Sequence, residues 1–448
     1  MSPASRLYLS AIVYVVSIYS DGPIYQEVAA LRSAAKAVHE RKSSPSYKAS
    51  PLQHSATPKV ELKDIMGIVG SVYDAPANIE KRAIFIYVSP SGSDSNSGTS
   101  TSAPLLTIQA AVNKAVAGDT IFLRAGTYAP TKNIQITKSG TAASPITLKN
   151  YNGEKVVIDG ENMPYTPAAL GASLPNADRG AIHIEGANYW IIEGLEIIHG
   201  AYGLYARDSS NNIYRNLITR DNYESGLQIQ GTASYNQVIN LDSYGNRDPR
   251  KNGESADGLA IKEGSGVGNV VRGARLWNNA DDGFDAWEFA SPIYVENSVA
   301  WGNGFNRWGF TDFVGDGNGW KAGGNGVAGN HIFNNTMAFS NAVTGFVDNK
   351  NPGKITFIDC TAWNHTSAGF KVTSSPSVLK ANLAVKNNPN SNLGSAVSQS
   401  GNSWNIGGTW TLPNTNPSVI TGPRTSAGLI PSTNFLVPSG STVGASFV

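Results

Sequence analysis

The stretch RGARLWNNADDGFDAWEF, residues 272–289, contains an octet ending in asparagine (RGARLWNN, to Asn279) and, four residues later, a glycine that opens an apolar segment (GFDAW, from Gly283). Both features recur. Glycines of this kind stand at Gly180, Gly203, Gly226, Gly258, Gly283, Gly319, Gly345 and Gly369, at intervals of 23, 23, 32, 25, 36, 26 and 24 residues. Related octets end at Asn222, Asn246, Asn279, Asn303, Asn341, His365 and Asn388. From each glycine to the next octet end the distance stays at 19 to 22 residues. From octet end to next glycine it is 4 at Asn222, Asn279, Asn341 and His365, but 12 at Asn246 and 16 at Asn303. The two insertions, RDPRKNGES (247–255) and GFNRWGFTDFVGDG (304–317), therefore fall in one corner of the repeat. Units of about 23 residues with alternating strands and polar corners predict an all-β chain, a right-handed parallel β-helix whose coils stack ~4.8 Å apart. Insertions confined to one face of a solenoid mark its binding face.

The register also predicts which residues stand side by side. Asp257 and Asp282 fall in one column, just before Gly258 and Gly283, while Asp285 and Lys321 share another, two places after the glycines. By strict alternation Leu259, Phe284 and Trp320 point into the core, and Asp285 and Lys321 point outward. Asp257, Asp281, Asp282, Asp285 and Lys321 thus converge within about two coil spacings, roughly 10 Å. Carboxylates so crowded repel one another, and folding gives no reason to keep them. Four hard oxygen donors without His or Cys suit Ca²⁺ better than Mg²⁺, which prefers to keep its water and an octahedron. Turn chemistry explains any one of these aspartates as well. Lys321 lies in GDGNGWKAGG, where glycines let a ligand approach the backbone, and a lysine of lowered pKa can act as a general base.

The 448 residues carry 34 Lys+Arg against 33 Asp+Glu, which gives no ground for a nucleic-acid or membrane-surface partner. Charged residues make up only 15% and glycines number 47, as in a turn-rich β protein. The single cysteine, Cys360, excludes an internal disulfide and reads as a small buried hydrophobe. The asparagine octet ends read as a ladder of side-chain amides bonding from coil to coil. His183, His199 and His331 fall on different coils, which argues against a histidine metal site. Arg247, Arg250 and Arg307, in the insertions, could grip substrate carboxylates or simply be solvated.

Before the repeat, Arg6 and the apolar run LYLSAIVYVVSIY (7–19) read as a signal peptide, residues 1–20, and imply secretion. Residues 21–82 read as a pro-segment cut after Lys81-Arg82, or as a disordered extension; residues 83–448 form the β-helix domain.

The segment YVSPSGSDSNSGTSTSAPLLTIQAAVNKAVAGDTIFLRAGTY, with a short capping helix between strands, is similar to the start of many secreted carbohydrate-active β-helices. ADGLAIKEGSG, NNADDGFDAWE, GDGNGWKAGG and the tail GPRTSAGLIPSTNFL resemble family 9 of the polysaccharide lyases, the pectate-lyase-like enzymes. The likeness runs from about Tyr87 to Phe435, and its motifs are specific in combination. The resemblance implies that Asp257, Asp281, Asp282 and Asp285 bind calcium and that Lys321 abstracts a proton. It further implies a secreted enzyme that cleaves a pectic polyuronate by β-elimination: the C5 proton goes to Lys321, the C4–O4 bond breaks, and a 4,5-unsaturated end remains. Trp320 and Ala322 depart from the family pattern, which bears on subsite shape. A rhamnogalacturonan lyase with the same site, a metal-free hydrolase and a glycan-binding β-helix without catalysis remain as alternatives. A monomer is expected.

Overall fold

The computed structural model describes residues 84–447. The segments read as signal peptide (1–20) and pro-segment (21–82) lie outside the described residues. Three parallel sheets run from residue 85 to residue 400: a first of 12 strands, from Phe85–Val88 to Ser398–Ser400, and a second and third of 10 strands each. The second runs from Gly126–Tyr128 to Leu383–Val385 and the third from Ile134–Ile136 to Ser391–Leu393. A coil contributes one strand to each sheet. Leu227–Thr232 lies in the third, Gln237–Ile239 in the first and Asp242–Tyr244 in the second; the chain then turns the corner at Asn246 and enters the third again at Leu259–Ser265. This is the expected solenoid.

The glycine column opens the strands of the third sheet. Its register pairs Leu204, Leu227, Leu259, Phe284, Trp320, Phe346 and Phe370 in one inward row, all fully buried. Burying such side chains stabilises each coil by ~1.5–3 kcal/mol apiece relative to exposure. Two positions read from sequence shift by one residue. Leu204 pairs with Ile182, so Ala181 and not Gly180 precedes Gly203 in the column. Trp363 pairs with Val385, so Asn387 and not Asn388 follows His365. In each case an adjacent identical or small residue mimicked the repeat.

Why glycine is required is visible at Gly283, where a Cβ would lie 2.6 Å from the Gly319 carbonyl oxygen and 2.9 Å from the Asn303 amide nitrogen. That amide belongs to the corner ladder. Asn222 donates its backbone N–H to Asn246 Oδ1 (3.2 Å), Asn246 to Asn279 (3.3 Å), Asn279 to Asn303 (3.0 Å) and Asn303 to Asn341 (3.0 Å). His365 Nδ1 then accepts from Asn341 (3.2 Å). The helix Ile108–Lys114 closes the N-terminal end, capped by the Thr107 hydroxyl. The C-terminal segment packs Ile420, Phe435, Leu436 and Ala445 onto Val299, Met337 and Phe339 of the second sheet. Cys360 is buried, as its apolar setting predicts.

Candidate active site

The corner between the second and third sheets carries both insertions. The first is tied to the loop before Ala181: Gly171 N–H donates to the Arg250 carbonyl (2.8 Å), and the Arg250 guanidinium pairs with buried Glu224. Arg250 is thereby committed to holding the loop. Arg247 lies over the Tyr223 ring at 4.6 Å and Arg307 over Phe305 at 5.2 Å. The second insertion crosses above the first, with Val314 N–H donating to the Asn252 carbonyl (3.1 Å).

Beneath them the register brings the singled-out residues together. Asp285 pairs directly with Lys321, and Gly258 N–H donates to the Asp282 carbonyl, which puts Asp257 beside Asp282. Carboxylate oxygens of Asp257, Asp281 and Asp282 all lie within 4.8 Å of one another. Asp285 stands beside this trio and not within it. It accepts from Trp287 N–H (2.9 Å) and from Lys262 Nζ (3.0 Å), with Lys321 Nζ at 3.8 Å. Although Asp285 and Lys321 face away from the core, the insertions leave them only 2% and 7% exposed. A solvated surface lysine is thereby excluded for Lys321.

Two charged neighbours escaped the sequence reading. Lys262 bridges Asp257 Oδ2 (2.8 Å) and Asp285 Oδ2 (3.0 Å). It occupies the next outward position beyond Ala260, whose small side chain leaves the lysine room to reach back. Asp316, near the end of the second insertion, accepts from Lys321 Nζ (2.9 Å) and donates its N–H to Asp281 Oδ1 (2.6 Å). Its residue type inside an insertion was the available signal, but no register fixes a loop.

The electrostatics are lopsided. Burial, with Asp282 and Asp257 beside it, pushes the Asp281 carboxyl well above the usual range. Burial and the surrounding aspartates raise Asp282 to about 8 despite Lys321. Burial also acts on Asp285, but Lys321 and Lys262 hold it below its ordinary value. For Lys321, desolvation favours the neutral amine, and Asp285, Asp282, Asp281 and Asp316 outweigh it, raising its pKa well above normal. Asp282 Oδ2 lies 3.2 Å from Lys321 Nζ but makes no hydrogen bond. Buried oxygens crowded together, one without a donor, are what a hard cation would satisfy.

Of these groups Lys262, Asp281, Asp285, Asp316 and Lys321 line a cleft of about 410 Å³ with Lys251, Glu254, Ser255, Glu263, Trp287, Val314 and Asn349, while Asp257 and Asp282 lie buried behind it. A larger hollow of about 680 Å³ sits by the capping helix, among residues 90–135, and has no carboxylate in its lining. Trp320 and Ala322 are fully buried in the core, so their departure from the family pattern does not reach the cleft. His331, held neutral by burial with a pKa of about 4, bonds at another corner, to Ile293 N–H (3.3 Å). His199 pairs with Asp159 (3.0 Å).

Residues 86–392 match the family described as Pel9A-like, right-handed β-helix region. The chain belongs to that family. It is 52% identical over 387 residues to pectate lyase PEL9 of Emericella nidulans, covering 80% of this chain and 94% of the relative. Pectate lyase L of Dickeya chrysanthemi is 37% identical over 307 residues, 66% and 69% of the two chains. The crystal structure of pectate lyase Pel9A superposes with a TM-score of 0.69 at 32% identity, covering 80% of this chain and 89% of that one. As a Pel9A-like β-helix with relatives of this closeness, the protein is a lyase. No helix among the described residues is long and apolar enough to cross a membrane.

Proposed function

We propose that the protein is a secreted, calcium-dependent lyase that cleaves pectic polyuronate by β-elimination, with Lys321 as the base. The observation that carries this reading is the buried Lys321 amine set against Asp282, Asp285 and Asp316 in an open cleft. Asp257, Asp281 and Asp282 would hold the cation, with Asp285 beside them. Bound there, Ca²⁺ would neutralise the carboxylate of a uronate and loosen the aspartates' hold on the Lys321 proton.

The protein's own groups do the rest. Lys262 and Lys321 fix Asp285 from two sides, so the carboxylate cannot swing into the substrate's place. Asp316 holds the Lys321 ammonium from the solvent side, on a loop that a sugar can displace. The neutral Lys321 amine takes the C5 proton, α to the uronate carboxylate, as the C4–O4 bond opens. A leader peptide at residues 1–20 and the polyanionic substrate both fit action outside the cell.

Incubation with polygalacturonate and with rhamnogalacturonan, each with chelator and with added Ca²⁺, tests the reading. The expected result is unsaturated product from polygalacturonate, abolished by chelation and restored by Ca²⁺. New reducing ends without unsaturation would mean hydrolysis, and binding without any cleavage would mean a lectin-like β-helix.

A further inference from the structure

The outward row of the third sheet that contains Asp285 and Lys321 continues through Val347 to Lys371. Lys371 is exposed, and stands two coil spacings beyond Lys321, roughly 10 Å along the solenoid axis. The other cations on the outward strand positions of this sheet all have counter-charges. Arg207 pairs with Glu185, Lys262 with Asp257 and Asp285, and Lys321 with Asp316 and Asp282. Among the described residues, Lys371 enters no ion pair and no side-chain hydrogen bond.

The shape of the cleft gives this charge a direction. Lys262, Asp285, Lys321 and Asn349 line it from four consecutive coils, so it is elongated along the axis and leads toward the coil of Lys371. A sugar in an extended 1,4-linked chain advances that chain by a distance comparable with one coil spacing, ~4.8 Å. A chain seated in the cleft therefore places its second sugar beyond the reacting one near Lys371. The sugar between faces Val347, which offers no charge.

We infer that Lys371 is a substrate-binding residue that takes the carboxylate of the uronate two sugars from the one held at Lys321. The inference rests on the proposed lyase reading for the identity of the chain in the cleft. Lys371 touches neither the reacting atoms nor the aspartates, so it acts on binding and not on proton transfer. A polymer with a uronate at every second position satisfies Lys321 and Lys371 as well as a homopolymer does.

Steady-state kinetics on polygalacturonate with Lys371→Ala, Lys371→Glu and Lys371→Arg tests it. Losing one charge-assisted contact near the surface is expected to raise KM about 3- to 10-fold, with kcat falling less than KM rises. Lys371→Glu should be worse than Lys371→Ala, Lys371→Arg should restore most of the loss, and added salt should narrow the differences. KM values within about twofold of wild type for both Lys371→Ala and Lys371→Glu, below the span of one such contact, would overturn the inference while leaving the lyase reading intact. If wild-type protein forms no unsaturated product, the lyase reading fails by itself. Calorimetric binding of oligogalacturonate to wild type and Lys371→Ala then decides: weaker binding by the variant supports the subsite, and equal binding refutes it.

Discussion

One corner of the solenoid holds two stacks of polar residues a few positions apart, and they are built in opposite ways. The asparagine stack, Asn222 to Asn341, is neutral, and each rung gives its N–H to the next. The aspartate stack begins two or three residues later at Asp281 and Asp282, carries like charges, and leaves Asp282 Oδ2 without a hydrogen-bond donor. Both are buried. A satisfied polar ladder stabilises and specifies register, whereas buried like charges cost stability unless something compensates them. The first stack explains why the coil folds, and the second is accounted for by the proposed cation site.

The sharpest test of that contrast is Lys321→Ala. Its side chain packs against carboxylates and not the core, so removal should leave the β-helix folded, while loss of a general base lowers kcat by about 10²–10⁴-fold. Circular dichroism should be unchanged and the formation of unsaturated ends nearly absent. A variant with a tenth of wild-type kcat or more would give proton abstraction to another group, Lys262 being the next amine in the cleft.

Next in size is the double change Asp281→Asn, Asp282→Asn. Calorimetric titration should show Ca²⁺ binding lost together with activity. Melting of the metal-free variant should come no earlier than that of metal-free wild type, because two buried like charges have gone. Normal Ca²⁺ affinity in this variant would remove the trio from consideration as the cation site.

How much of this could be read from the chain follows from the same contrast. Regular spacing carries information, so the coil, the inward row and the pairing of Asp285 with Lys321 were legible from the glycine column. The errors at Gly180 and Asn388 arose where a neighbouring residue offered an equally good match. Lys262 was hidden for another reason: its Cα is in register with Gln230, yet its long side chain reaches diagonally to Asp257 and Asp285. Periodicity places backbones and says little about where four methylenes lead. Asp316 was hidden because insertions have no period. The burial of Asp285 and Lys321 was hidden with it, since it is the inserted loops that cover them.

The neutral stack should respond to substitution in stability alone. Asn222 accepts from Gly200 N–H (3.0 Å) and donates to Asn246 Oδ1 (2.9 Å), away from the cleft lining. Asn222→Ala strands a buried N–H and should cost about 1–3 kcal/mol, read as a lower denaturation midpoint. Activity per folded molecule at room temperature should stay close to wild type. A fall in kcat to match the fall in stability would show that the two stacks are mechanically coupled.

The smallest effect expected is a pH slope, and its sign distinguishes the stacks. Amides do not titrate, so the asparagine ladder contributes none. Burial raises Asp282 from an ordinary 3.8 to about 8, and Asp257 and Asp281 are raised as well. Between about pH 4 and 8 these carboxyls therefore keep protons that the unfolded chain releases, and their contribution to folding stability falls as pH rises through that window. Up to about pH 6.5 it is opposed by His331 and His365, which burial holds neutral in the folded protein while the unfolded chain protonates them. Below it both states are protonated and the effect is fully present as stability; above it the penalty is complete. Asp285 is shifted the other way and opposes the slope only at acid pH, below its ordinary value. Melting midpoints of chelator-treated protein should thus decline from about pH 6.5 to about pH 8, above the range in which the buried histidines oppose the slope, and Ca²⁺ should recover more stability at the alkaline end, where the aspartates have lost their protons. Asp282→Asn should flatten the decline, and Asn222→Ala should lower the whole curve without changing its slope. Midpoints that rise over this range in chelated protein would mean that the aspartates are already compensated by Lys262 and Lys321, and that the charged stack is as self-sufficient as the neutral one.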